Sequence, residues 1–352
     1  MAGENLQTLA LNAVRLAERL GAEEAEAFLD RAKVVSVSIE NGQLVKAKTL
    51  WETGLGLRVS LKGRIGFAYL SMPTSERLEE AVGKAIKLAK VSQPLEGWKG
   101  FPSKKPHPKP SGILHGEVAS ASVEEAARLA GEMLEAALKL DGRVIASDGG
   151  VSLTFEERFV VNSLGVEAGE EATWASCFLE ALAREAGETT PSCFESDLSR
   201  SLNLRAEWVG EEAARLALSA LKAGKAEGGS YPIVFGQHAL QSLLAYTLVP
   251  ALQADNVQRN RSPLKGRIGQ PVASKIFTLV DDGLLEGGFQ TCGFDDEGSP
   301  SQRTPLIEKG VLKGYLYDSY RAGRENVEST GNAFRPAGYA STPVIDSTNL
   351  VV

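Results

Sequence analysis

Apolar positions recur at three- and four-residue steps over residues 5–20, then alternate with polar ones from Val34 to Ile39; these two periods organise much of the chain. The first predicts an amphipathic helix ending at Gly21. The second predicts a strand that turns at Asn41-Gly42, a residue pair suited to a two-residue hairpin, and returns over Leu44–Thr49. A further run from Gly56 to Leu61 turns at Lys62-Gly63 and comes back over Ile65–Leu70, so an antiparallel meander is expected. Pro73-Thr74-Ser75-Glu76 opens a helix to about Val91, with a hydroxyl placed to cap it. Five prolines between residues 94 and 110 remove backbone donors and mark a connector.

Beyond the connector, Ser122-Val123-Glu124-Glu125 starts a helix to about Leu140. Strand-like runs cover 143–154, 157–162 and 166–184, with a turn at Asn162–Gly165. Val209, Ala213, Leu216, Ala217 and Ala220 share one helical face within 203–223, and Gly224, Gly228 and Gly229 mark the main break. A strand is expected at Tyr231–Phe235, a helix at about Gln237–Leu252 and a long polar loop at 253–272. Strands at 275–281, 303–308 and 311–317 and a short helix near 318–325 complete the pattern. Helices and antiparallel runs mix without strict alternation, which predicts an α+β fold. The expected division is an N-terminal hairpin-and-helix part over 1–112, a central part over 113–228, and a mostly antiparallel part over 229–352.

Composition narrows the classes. The chain has 352 residues, 43% hydrophobic and 24% charged, enough for a large core and more than one domain. No apolar run reaches the roughly 18 residues of a membrane span, and the first residues are polar and acidic rather than basic and then apolar, which argues against a secretory signal. Three widely spaced cysteines, Cys177, Cys193 and Cys292, with no CxxC pair, argue for a reducing compartment; a cytoplasmic location is expected. A net charge of −7 with no dense basic stripe argues against nucleic-acid binding.

The most specific stretch lies near the end. Gly293-Phe294-Asp295-Asp296-Glu297-Gly298-Ser299-Pro300 is followed by Arg303–Tyr320 and by Ser329-Thr330-Gly331-Asn332-Ala333. Together with Gly54–Val59, Gly63–Ala68 and the Asn162–Gly165 turn, in that order, this block resembles the TldD/PmbA family, the modulators of DNA gyrase. The resemblance implies a mixed N-terminal region, a C-terminal antiparallel barrel-like sheet and a peptidase system. The family's catalytic members carry a His-Glu-x-x-x-His helix. Here the histidines are His107, His115 and His238, and none precedes Glu. Alignment by hand places Ala245, Tyr246 and Pro250 at the motif's positions, and none of these can bind zinc. The resemblance therefore points to the PmbA/TldE-like branch: no metal or cofactor in this chain, zinc only on a TldD-like metallopeptidase partner in a heterodimer, and unfolded peptide as substrate. It also implies a chain short of the family's C-terminal portion. A self-sufficient peptidase with an unrecognised site and a non-enzymatic peptide-binding or regulatory homodimer stand as alternatives.

Candidate binding residues follow from the same block. Asp295, Asp296 and Glu297 with Arg303 read either as a loop contacting peptide or partner, or as a solvated turn closed by a local ion pair. Thr330 and Asn332 either present polar groups to a peptide backbone or close a tight turn. Asp281-Asp282-Gly283 reads as a turn. Cys292 and His238 form a thiol–base pair only if the fold joins them; as separate residues they read as a small, partly buried side chain and a helix-start residue. His107 and His115, flanking the proline connector, read as solvated.

Overall fold

The computed structural model describes residues 5–352. Helix α1 (Leu6–Arg19) is capped by Asn5, whose side chain accepts from the backbone N–H groups of Gln7 and Thr8. Strands β1 (Glu24–Glu40), β2 (Gln43–Leu61) and β3 (Arg64–Ser71) follow as two hairpins, then helix α2 (Ser75–Val91). At the first hairpin Asn41 and Gly42 both take positive φ, 48° and 76°, and Glu40 pairs with Gln43, as a two-residue primed turn requires. After the connector come α3 (Gly116–Ala119), α4 (Val123–Leu140), β4 (Val144–Asn162), β5 (Glu167–Glu185), β6 (Glu188–Thr189), β7 (Cys193–Ser199) and α5 (Ala206–Ser219).

These strands form one antiparallel sheet in the order β3-β2-β1-β4-β5-β6, with β7 also on β5. The expected short runs are segments of longer strands. Residues 44–49 and 56–61 both belong to β2, and 143–154 and 157–162 lie within β4 apart from its first residue. Residues 24–33, unassigned in the sequence reading, are the first half of β1. Pairing of β1 with β4, from Glu26↔Asn162 to Glu40↔Asp148, joins the stretches before and after the proline connector in a single sheet.

One face of this sheet carries the helices. Ala25, Ala27, Leu29, Leu55, Leu57 and Val59 pack with α1 and α2, while Val35, Val37, Val151, Leu153, Cys177 and Leu179 pack with α4 and α5. Each large apolar side chain buried there contributes roughly 1.5–3 kcal/mol. Strand alternation then sends Glu26, Phe28, Asp30, Arg58, Glu156 and Arg158 to the opposite face.

Around Glu26, Phe28 and Arg58 that opposite face is covered by the C-terminal part of the chain, while Phe178 on the same face stays 40% exposed. A helical segment runs through α6 (Gln237–Leu243), a π-helical stretch at Leu244–Leu248 and α7 (Val249–Leu252), followed by α8 (Ala254–Gln258). Pro250 lacks the N–H that would bond Tyr246, which accounts for the irregular register before it. Strands β8 (Leu279–Asp282), β9 (Arg303–Glu308) and β10 (Val311–Leu312), helix α9 (Ser319–Glu325), and strands β11 (Ala333–Phe334), β12 (Val344–Ile345) and β13 (Leu350–Val351) complete the molecule. The C-terminal strands make an open sheet, β10-β9-β8-β13, and a separate β11-β12 ribbon, not a closed barrel among the described residues.

Local expectations differ here in four places. Tyr231–Phe235 forms no strand: the segment has no ladder partner, and Val234 is 98% exposed. The 253–272 loop contains α8, the 275–281 run pairs only from Leu279, and the 311–317 run stops as a ladder at Leu312. Gly54 and Gly56 let the Gly338–Ala340 turn lie against β2: a Cβ on Gly54 would sit 2.2 Å from the Tyr339 ring, and one on Gly56 would sit 2.5 Å from the Tyr339 carbonyl. The fold is α+β with antiparallel ladders, as the pattern predicts.

Candidate functional site

Charged residues on a sheet face are buried when another layer covers them, and each then needs a partner. Glu26, fully buried on β1, accepts from Arg335 Nη2 at 2.6 Å and from Arg58 Nε at 2.9 Å and Nη2 at 2.5 Å. Arg58 also reaches Glu297 Oε1 at 2.9 Å, and the other Glu297 oxygen accepts from the Ser319 N–H at the start of α9. Burial alone would raise Glu297, but the Arg58 charge and the Ser319 donor outweigh it and hold the carboxyl below its ordinary value. Arg158 on β4 donates at 3.0 Å to both Asp296 and Glu170. Asp296 in turn accepts from the Arg335 N–H at 2.7 Å. This chain of ion pairs fastens the C-terminal segment to the sheet.

Beside the ion pairs lies a cavity of about 410 Å³ between the central strands and the C-terminal loops. Phe28, Asp30, Glu156, Trp174, Phe289 and Asn332 are among its walls. Asp30 Oδ1 is buried without a donor. Burial, then the charge and hydrogen bond of Glu156, push the Asp30 carboxyl up to about 8, and burial also raises Glu156. Two carboxyls in one low-dielectric wall behave as a pair that keeps a proton near neutral pH. Cys292 lies on the same wall, its thiol raised by burial and its Sγ 3.3 Å from Ser301 Oγ.

The structure brings some of the sequence-derived candidates together and separates others. Asp295, Asp296 and Glu297 are all buried, so the solvated-turn reading fails. Asp295 accepts from the N–H groups of Glu297, Ser299 and Ala333, which fixes the loop rather than presenting it to solvent. Arg303 does not join them; it is exposed and lies 3.5 Å from Asp282. Thr330 bonds both the N–H and the carbonyl of Tyr317. Asn332 lines the cavity, donates to Asp281 Oδ2 and to the Asp346 carbonyl, and leaves its own Oδ1 without a donor. Asp281 is buried, where a turn residue would be solvated. His238 bonds Glu195 at 2.5 Å while Cys292 bonds Ser301, so each has a different partner. His107 is half-buried, 2.9 Å from the Gly298 carbonyl and packed on Phe294, rather than solvated.

Asp30, Glu156, Arg158 and Arg335 escaped the sequence reading. Their signal was present in part: Glu26 and Asp30 alternate with Ala25, Ala27 and Leu29, which marks a strand buried on both faces. Helix residues Ala245 and Tyr246 are exposed and Pro250 is half-buried. Ala245 and Pro250 carry no donor atom and Tyr246 offers only a phenol, so these three positions do not supply the two imidazoles of a His-Glu-x-x-x-His zinc site. Among the described residues no three His, Cys, Asp or Glu side chains converge as a metal site.

Three segments match the PmbA/TldA metallopeptidases in succession: domain 1 at residues 25–89, the central domain at 116–221 and the C-terminal domain at 228–352. This chain belongs to the PmbA/TldD family. Among the family's members, an uncharacterised protein of Methanocaldococcus jannaschii is 34% identical over 96% of this chain and 77% of its own length. A metalloprotease TldD homologue of Haemophilus influenzae is 27% identical over 97% of this chain and 72% of its own. The crystal structure of TldE from Thermococcus kodakarensis superposes with a TM-score of 0.90 at 28% identity, covering 97% of this chain and 77% of that one. TldD-like and TldE-like relatives are thus about equally similar in sequence, and the branch within the PmbA/TldD family has to be argued from residues.

Proposed function

We propose that this chain is the non-metal-binding, TldE-like subunit of a TldD/TldE-type peptidase that processes unfolded peptides. The reading rests on the absence of any His-Glu pair in the chain and on the Gln237–Leu252 helical segment, where alignment by hand sets Ala245, Tyr246 and Pro250 against the His, Glu and His of the family's catalytic motif. Zinc, the activated water and the general base belong, on this reading, to a TldD-like partner. This chain forms chamber wall and peptide-contacting surface.

Exposure supports a partner on that side. Tyr246 is 84% exposed on the helix, and Tyr231, Ile233, Val234 and Phe235 lie exposed on the segment just before it. Three free cysteines fit a reducing compartment, in line with a cytoplasmic place of action. Among the described residues no helix is long and apolar enough to cross a membrane.

Affinity capture of the tagged chain from its native host tests the pairing. A TldD-like chain is expected in stoichiometric amount, and replacing Tyr246 and Val234 by Asp is expected to release it. Repeated capture without any TldD-like chain counts against the heterodimer.

A further inference from the structure

We propose that the cavity between the central strands and the C-terminal segment is a binding site for an organic cation: an amidinium, guanidinium or primary ammonium group on a small apolar body. The proposal concerns the ion-paired inner face of the large sheet and stands independently of the peptidase partnership.

The sign of the ligand follows from which polar groups are already occupied. Five carboxyl residues line the cavity, Asp30, Glu156, Asp295, Asp296 and Asp346, against two arginines, Arg158 and Arg335. Both arginines are engaged: Arg158 with Asp296 and Glu170, Arg335 with Glu26, the Ser341 carbonyl and the Asp296 carbonyl. An anion would find no free guanidinium. Of the acids, Asp295 is held by three backbone N–H groups, and Asp296 by Arg158 and the Arg335 N–H.

What remains is acceptor capacity. Asp30 and Glu156 share a hydrogen bond and one proton, which still leaves Asp30 Oδ1 without a donor and Glu156 no closer than 3.8 Å to Arg158, and Asn332, only 2% exposed, keeps Oδ1 unpaired while both contacts of its amide nitrogen are made elsewhere. Buried acceptors without donors are costly, and a ligand that brings N–H groups and positive charge relieves both deficits at once. A bare metal ion does not fit, because no three ligating side chains converge among the described residues. Phe28, Trp174 and Phe289 give the ligand's body an apolar wall, and about 410 Å³ lies within the range of small-molecule sites.

Isothermal titration calorimetry of the full chain with benzamidine, and with its neutral counterpart benzamide, reads the proposal. Benzamidine is expected to bind one to one and benzamide not to bind. Asp30→Asn and Glu156→Gln, each close in shape to the protonated acid, are expected to weaken benzamidine at least about tenfold, about 1.4 kcal/mol, while Arg303→Ala leaves it unchanged. Circular dichroism establishes that each variant is folded, and if one of the two cavity variants fails to fold the other gives the reading. No benzamidine binding to the folded wild type, equal binding of benzamide, or unchanged affinity in a folded cavity variant would each overturn the proposal.

Discussion

Asp30 shows how strongly one residue here depends on its surroundings. On a free chain its carboxyl is ionised above pH 4; in the fold, burial and the neighbouring Glu156 raise it to about 8, with Asp296 adding to the shift and Arg158 opposing it. Between about pH 4 and 8 the native state therefore holds a proton that the unfolded state has released. The contribution of this site to stability is full below pH 4 and falls as pH rises towards 8. Asp318, pushed up to about 7 by burial and by the charge of Glu297, works in the same direction. Asp30→Asn is expected to flatten this decline, so that the variant gains relative to wild type as pH rises from 5 to 8. Denaturant midpoints across that range test it; a wild-type advantage that grows with pH would refute the assignment. None of this was legible from Asp30 in the sequence, because its titration is set by Glu156, more than a hundred residues away. The acidic triplet was legible as a special feature. Its burial was not, since what covers it is the face of a sheet assembled from distant strands.

At the scale of elements, period and turn chemistry carried most of the reading. The Asn41-Gly42 and Lys62-Gly63 turns and helices α1, α2, α4 and α5 all fall close to where spacing puts them, though the Thr74 side chain makes no capping hydrogen bond at α2. Strand length was hidden. The Glu24–Lys33 half of β1, partly buried on both faces, alternates charge with alanine over Glu24–Ala27 and then breaks period at Phe28 and Arg31, so the strand does not stand out. Tyr231–Phe235 has strand composition but no partner, and composition cannot supply one. Close packing makes one element contact sharply testable. Gly210 of α5 sits against α4 so tightly that a Cβ would lie 2.0 Å from the Met133 carbonyl. Gly210→Ala must push two helices apart, and despite the better helix propensity of alanine it is expected to cost about 1–3 kcal/mol, read by urea unfolding. A neutral or stabilising result would mean that the α4–α5 contact gives way easily.

For the whole molecule, the helices on one face of the large sheet and the C-terminal segment on the other make the inner ion pairs the joint between distant parts of the chain. Glu26 on β1 and Arg335 near the C-terminal ribbon are separated by most of the sequence, yet both are fully enclosed. Glu26→Gln leaves Arg335 without its carboxylate and Arg58 with Glu297 alone, and is expected to cost about 3–5 kcal/mol, seen as a lower denaturation midpoint; a loss under 1 kcal/mol would show that the joint is not electrostatic. Family membership is established by matches along almost the entire chain, and the fold agrees with that of a TldE. The central claim concerns where the chemistry resides. Its most direct measurement is cleavage of an unfolded peptide by this chain alone, by the host's TldD-like protein, and by the two mixed, with bound zinc determined on each. The account predicts peptidase activity that requires the partner, with zinc on the partner and none on this chain. Zinc and chelator-sensitive cleavage with this chain alone would contradict it.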